Sequence, residues 1–267
     1  MVPKPTRAEC WLLVACLAVG VLALVAPPLA QPAHIHHFAD GRALWGLPCA
    51  LDVLSNLPFA VAGIAGLAVL RGVPAPALTR VQRAAVTVFF LGLLGTAAAS
   101  SFYHLAPDDF GLVVDRLGMA VAFAGLLGLL AATRISDRAG GVLGGALLAL
   151  APAAAWPCFA TGNVLPWALV QFGGMLFVLV LAWRPARADA LAVRWLGVLA
   201  AYAVAKAFEM NDAAIFAATG ELLSGHTLKH VAAALAAWPV IHAVAARRQG
   251  QNRRGTTTRA LHTAARA

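Results

Sequence analysis

Charge is what this chain lacks. Only 12% of its 267 residues are Asp, Glu, Lys or Arg, about half the share of a soluble globular domain. Hydrophobic residues make up 61% and mean hydropathy is +0.79, which excludes a water-soluble fold. Four cysteines, none in a CxxC pair, are too few for a disulfide framework or a thiolate metal site. Cys10 and Cys16 read as packing residues, while Cys49 and Cys158 fall on the expected outer side, where a bridge is conceivable. The chain also lacks a fixed-period repeat and a polar insertion long enough to fold alone, so it reads as one membrane domain.

What the chain has is apolar runs. A helix crosses ~30 Å of hydrocarbon with about twenty residues at 1.5 Å each. Runs of that kind fall near 10–30, 51–70, 84–105, 112–132, 140–156, 166–183, 193–210 and 226–246. The expectation is an all-α integral membrane protein with eight spans, in three stretches: 1–30, 31–246 and a basic tail 247–267 without apolar periodicity, read as disordered. Lys4 and Arg7 ahead of the first run give it a signal-peptide look, but Pro27 and Pro28 make a poor cleavage site, so a retained helix is expected. Pro107, Pro152, Pro157, Pro166 and Pro185 are expected to mark span ends.

The net charge of +9 does not point to nucleic acid, because the charges are sorted by loop. Sixteen of the twenty basic residues lie on one side of the drawn spans, and only Arg42 is clearly in a loop on the other. The positive-inside rule then puts both termini in the cytoplasm. A bacterial inner membrane is the expected location.

Against this background a few polar residues stand out. Ser100 and His104 are four apart near the outer end of span three, Asp115 lies one turn inside span four, and His226 and His230 are four apart at the start of span eight. Residues at i and i+4 share a helix face, and ionisable groups inside a membrane mark function by default. Three imidazoles at one depth suit zinc, with the fourth position left for a water whose pKa the metal can bring to about 7. Asp115 is placed to take a proton or orient a histidine, and Ser100 to donate to an oxyanion. Pairing of Asp115 with Arg116 is the bland alternative. His34, His36 and His37 read as a solvated loop or a metal relay; His242 and His262 are too distant to join.

Further polar residues lie on the same side. Lys206, Glu209 and Asp212 are spaced by three, so Lys206 and Glu209 can pair, either to neutralise a buried lysine or to meet a substrate headgroup. Asp52 reads as a helix cap, and Ser55 and Asn56, lying deeper, as partners of a neighbouring helix.

Ser100-x-x-x-His104, Asp115 and His226-x-x-x-His230, with Ser55-Asn56 on an earlier span, resemble the pattern of the alkaline ceramidases and the wider CREST superfamily of membrane hydrolases, which includes the adiponectin/progestin-type receptors. The likeness covers roughly residues 40–246. It implies a seven-helix core preceded here by one extra helix, zinc on His104, His226 and His230, catalytic help from Asp115 and Ser100, and hydrolysis of a ceramide-like lipid to a fatty acid and a sphingoid base. The family's acidic calcium loop has a counterpart here, residues 36–52, with only two carboxylates, Asp40 and Asp52. Calcium takes six to eight oxygens, so that site is not expected.

The leading expectation is therefore a zinc-dependent amidase acting on an N-acyl membrane lipid from the periplasmic side. A lipid receptor with the same zinc and little turnover is the alternative. A transporter fits worst, because the inner halves of the spans are almost free of ionisable groups.

Overall fold

A computed structural model describes residues 4–188 and 190–250, and every regular element among them is helical apart from two isolated bridges, Ala30–Asn163 and Leu44–Leu47. The helices are α1 (Arg7–Val25), α2 (Ala50–Leu54), α3 (Leu57–Arg71), α4 (Arg80–Leu105), α5 (Asp109–Arg134), α6 (Asp137–Thr161), α7 (Leu165–Ala182), α8 (Trp195–Met210), α9 (Asp212–Ala218), α10 (Gly225–Leu235) and α11 (238–250).

Side-chain caps fix many of the starts. Thr6 and Glu9 form a capping box on α1, and Thr79, Asp108, Ser136 and Ser224 each accept from a first-turn amide of α4, α5, α6 and α10. α4 stops at Leu105 because Pro107 drives Ala106 out of the helical region, to φ −152°. α2 and α3 are one span broken near Ser55 and Asn56, since Pro58 cannot donate to the carbonyl of Leu54. Pro152 and Pro157 lie inside α6 and do not end it. A membrane helix tolerates the two lost donors where its neighbours hold it in place.

Seven helices among the described residues are long and apolar enough to cross a membrane, with α2–α3 and α10–α11 each counted once. This makes the chain a multi-pass, all-helical membrane protein. The span expected at 193–210 is the exception to the sequence reading: residues 190–194 are irregular, α8 is left with 16 residues, and it turns at Asn211 into α9. The expected basic tail also begins later, because 247–250 continue α11; its remainder, with His262, lies outside the described residues.

α4 and α5 form the centre of the bundle. A Cβ at Gly125 would meet the Phe89 backbone nitrogen at 2.2 Å, so only glycine permits this backbone-to-backbone approach. Leu127, Leu129 and Leu130 of α5 pack with Phe89 and Phe90 of α4, Val178 of α7, Val198 of α8 and Val240 and Val244 of α11. α1 buries no residue and is tied at its start by Glu9, which accepts from Ser136 and Arg138 of α6. Its exposed Trp11, Leu17 and Leu24 suit contact with lipid.

Candidate metal centre

His104 ends α4, while His226 and His230 occupy the first two turns of α10, and all three are buried. Their rings form a near-equilateral triangle with centroids 4.8, 4.9 and 5.1 Å apart, each pair edge to face. One nitrogen from each lies within 4.8 Å of the others, a cluster that can hold a metal ion. The Nε2 atoms of His104 and His226 stand 3.2 Å apart. Two bonds of 2.0–2.1 Å at a tetrahedral zinc would separate them by about 3.3 Å, so this pair already has the required spacing. The full spread of the set is wider, and a bound ion would draw one ring inward.

A hydrogen bond sets the third ring's tautomer. Ser55 Oγ lies 2.9 Å from the Asp52 carbonyl and 2.7 Å from His230 Nδ1. A carbonyl can only accept, so the single hydroxyl proton goes to Asp52 and Nδ1–H of His230 donates to Ser55. His230 Nε2 is left with its lone pair free for a cation. Nδ1 of His104, by contrast, is buried without a partner.

Other residues hold this trio in place. Asp212 accepts from the His226 amide at 2.7 Å and from the Ala39 amide at 2.9 Å, joining α10 to the loop that precedes α2. That loop lays Phe38 across the site, its ring 4.3 Å from His226 and 4.6 Å from His104. His36 bridges Tyr103 and Asp109 at 2.9 and 3.0 Å, while Asp40 accepts two bonds from the Arg42 guanidinium, which holds its carboxyl below the usual range. Arg42 also lies over Phe216 of α9, so the loop is clasped on both flanks. Gly225 abuts Phe208 and Asp212, where a Cβ would meet the Phe208 carbonyl oxygen at 2.2 Å, so the start of α10 is pressed onto the end of α8.

Beside His230 a cavity of ≈ 140 Å³ opens between the helices. Its polar end carries Ser100, Asp115, Lys206, Glu209 and Lys229; the rest is mostly apolar, interrupted by Thr96, Gln171 and Tyr202, and extends along α4 and α5 to Phe89 and Leu126. Eleven residues separate Ser100 from Phe89 and Asp115 from Leu126, an axial depth of about 16 Å at 1.5 Å per residue. Ser100 is the hydrogen-bonding neighbour of the Asp115 carboxylate. Glu209 accepts from Lys206 and, at 2.8 Å, from Lys229.

The residues singled out in the sequence mostly meet here, with corrections. Asp115 does not pair with Arg116, whose guanidinium lies 5.8 Å from the Trp167 ring centroid. Asp52 caps nothing; buried on α2, it accepts from Thr227 of α10 at 2.7 Å. Asn56 donates to the Asp52 carbonyl of its own segment and does not reach a neighbouring helix. Asp212 stands apart from the Lys206–Glu209 pair. All four cysteines are free, and Cys158 hydrogen-bonds to Gln31, so no Cys49–Cys158 bridge forms. His34 and His37 are exposed, and His242 on α11 lies outside the cluster. Sequence reasoning missed Phe38 and Lys229; the second sits in plain view inside His226-Thr-Leu-Lys-His230.

The fold and site define a multi-pass membrane protein with a buried three-histidine cluster able to hold a metal. The chain matches no protein-family model and no curated protein.

Proposed function

We propose that this protein is a zinc-dependent intramembrane hydrolase that cleaves the amide of a ceramide-like N-acyl lipid into a fatty acid and an amine. The observation that carries the reading is the joining of a three-imidazole cluster to a deep amphipathic cavity through one residue, His230. The resemblance of Ser100, His104, Asp115, His226 and His230 to the ceramidase pattern supports it, and the loop-charge asymmetry supports a site toward the outer, periplasmic leaflet.

Zinc on His104, His226 and His230 would supply a Lewis acid for the amide carbonyl and a water acidified to near neutrality. The apolar cavity holds the acyl chain, about 16 Å deep by the helical rise, and so aligns the carbonyl with the polar end. Once Asp115 has taken up a proton its carboxyl no longer needs the Ser100 hydroxyl, which is then free to donate to the carbonyl oxygen as charge builds there. Asp115 takes the proton of the attacking water and returns it to the departing amine nitrogen. Phe38 keeps bulk water from the imidazoles, and Ser55 keeps the lone pair of His230 pointed at the metal.

The test is zinc content and fatty-acid release from N-acyl lipids by purified protein and its His230→Ala variant. Many product molecules per protein, lost together with zinc in the variant, are expected. Binding of lipid without turnover would favour a receptor, and undiminished release by a folded His230→Ala protein would overturn the reading.

A further inference from the structure

Below its polar end the cavity wall is hydrocarbon except at three residues from three helices, Thr96 of α4, Gln171 of α7 and Tyr202 of α8. Thr96 lies four residues inward of Ser100, and Tyr202 four inward of Lys206. At 1.5 Å per residue both stand about 6 Å deeper than the polar end. Gln171 joins them at that level as the hydrogen-bonding neighbour of Tyr202. The three form a polar band part of the way down, with the apolar walls of Phe89 and Leu126 beyond it.

Hydrogen-bonding capacity in this band is left over. Thr96 gives its proton to the Gly92 carbonyl at 2.9 Å, so its oxygen can only accept from anything in the cavity. The Tyr202 hydroxyl is buried with no partner at bonding distance, and Gln171, only 9% exposed, lines the cavity beside it. Closing the gap between these two would not use up the pair. An amide carries two N–H donors and a carbonyl, and a phenol one donor, so a bond in either sense leaves donors idle. Glu209, the carboxylate of α8, is taken by Lys206 and Lys229. Buried polar groups find partners in native proteins, and those inside a membrane bundle mark what binds there. A plain saturated chain lying along the cavity offers none.

Resting on the hydrolase reading above, we infer that the acyl chain of the preferred substrate carries a hydroxyl in its first half, and that the Gln171 amide, backed by Tyr202, binds it. The 6 Å between band and polar end is roughly five carbon–carbon bonds of extended chain, which puts the hydroxyl about four to six carbons from the amide carbonyl. The band offers idle donors in Gln171 and Tyr202 and an idle acceptor in Thr96. A hydroxyl answers both, whereas a keto or ether oxygen only accepts. The band therefore reads the acyl chain, apart from the groups that act on the amide.

The experiment uses three ceramides with one sphinganine base and hexadecanoyl, 6-hydroxyhexadecanoyl or 15-hydroxyhexadecanoyl chains on the zinc-loaded full chain, by kcat/KM and by displacement of a fluorescent fatty acid. The 6-hydroxy lipid is expected to exceed the plain one by about tenfold or more, as a site built around a polar group rejects analogues lacking it. The 15-hydroxy lipid, whose oxygen falls at the apolar end, should gain nothing. In Gln171→Met the preference should collapse toward one, and it should fall in Tyr202→Phe, which deletes one oxygen and keeps the ring; a ratio within one variant is insensitive to partial misfolding. Equal use of the plain and 6-hydroxy lipids by the parent, equal gain from the 15-hydroxy chain, or a preference untouched by Gln171→Met overturns the inference and leaves the hydrolase reading standing. If no ceramide is hydrolysed but the 6-hydroxy lipid displaces the probe preferentially and through Gln171, the hydrolase reading fails and hydroxyl recognition stands.

Discussion

The hydroxyl of Ser55 sits 2.7 Å from Nδ1 of His230, on a different helix and 175 residues away. Because the same oxygen donates to the Asp52 carbonyl, it can only accept from the imidazole, and the ring is locked with Nε2 unprotonated. Ser55→Ala removes that lock. Zinc affinity should fall about 10–100-fold, the usual cost of losing a partner behind a metal ligand, measured by competition with a chromogenic chelator. An affinity equal to the parent's would mean that His230 does not need Ser55 to bind metal.

Phe38 covers two of the three imidazoles, so its removal should act on access before affinity. In Phe38→Ala, zinc loss to excess chelator should quicken about tenfold with little change in equilibrium binding, since the apolar surround of a metal site governs entry of solvent. Stopped-flow chelation separates the two. An unchanged rate would show that the loop does not screen the cluster.

The Asp40–Arg42 pair should make that screen fail at low pH. The folded-state pKa of Asp40 lies below its ordinary value, so its stabilising contribution is complete above about pH 3.9 and is lost as pH falls through the folded value. At neutral pH Arg42→Gln should therefore raise amide exchange in residues 36–44, read by hydrogen–deuterium exchange, while exchange in α5 stays at parent level.

Asp115→Asn keeps shape and hydrogen bonding but cannot take a proton. Turnover should fall about 10²–10⁴-fold, the range for loss of a general base, with zinc content held at the parent level. Loss of zinc along with turnover would instead make Asp115 a ligand.

Tight backbone packing between α4 and α5 gives a stability prediction. Gly125→Ala forces a Cβ onto the Phe89 nitrogen, while a Cβ at Gly173 on α7 meets nothing within 4 Å. Gly125→Ala should cost about 1–3 kcal/mol or more, as overpacking does, and Gly173→Ala little. Thermal unfolding in detergent compares them, and equal melting temperatures would contradict the close approach.

What could be read in the sequence divides by range. The spans follow from hydropathy, and the imidazole pairing from the four-residue spacing of His226 and His230 on one helix face. The stop at Pro107 is local chemistry, which a one-dimensional reading captures. Phe38 could not be found in this way, because a lone aromatic in an irregular loop has no periodicity to say which way it turns. Asp52 looked like a cap because it lies near a helix start, but its side chain is spoken for by Thr227 on α10, a contact across 175 residues. Lys229 was visible as a charge, and its pairing was not, since Glu209 lies on another helix. Pro152 and Pro157 misled for a different reason: a proline removes one donor, and α6 carries the loss without ending.

His104 and His226, whose Nε2 atoms face each other, are 122 positions apart along the chain. A ribosome that has made α4 and α5 has therefore produced one donor of the trio and nothing to complete it. The cluster comes into being only after translation has passed residue 230, when α10 enters the bundle and sets its two rings beside the waiting one. Metal capture by the growing polypeptide would thus report that assembly has run through to α10.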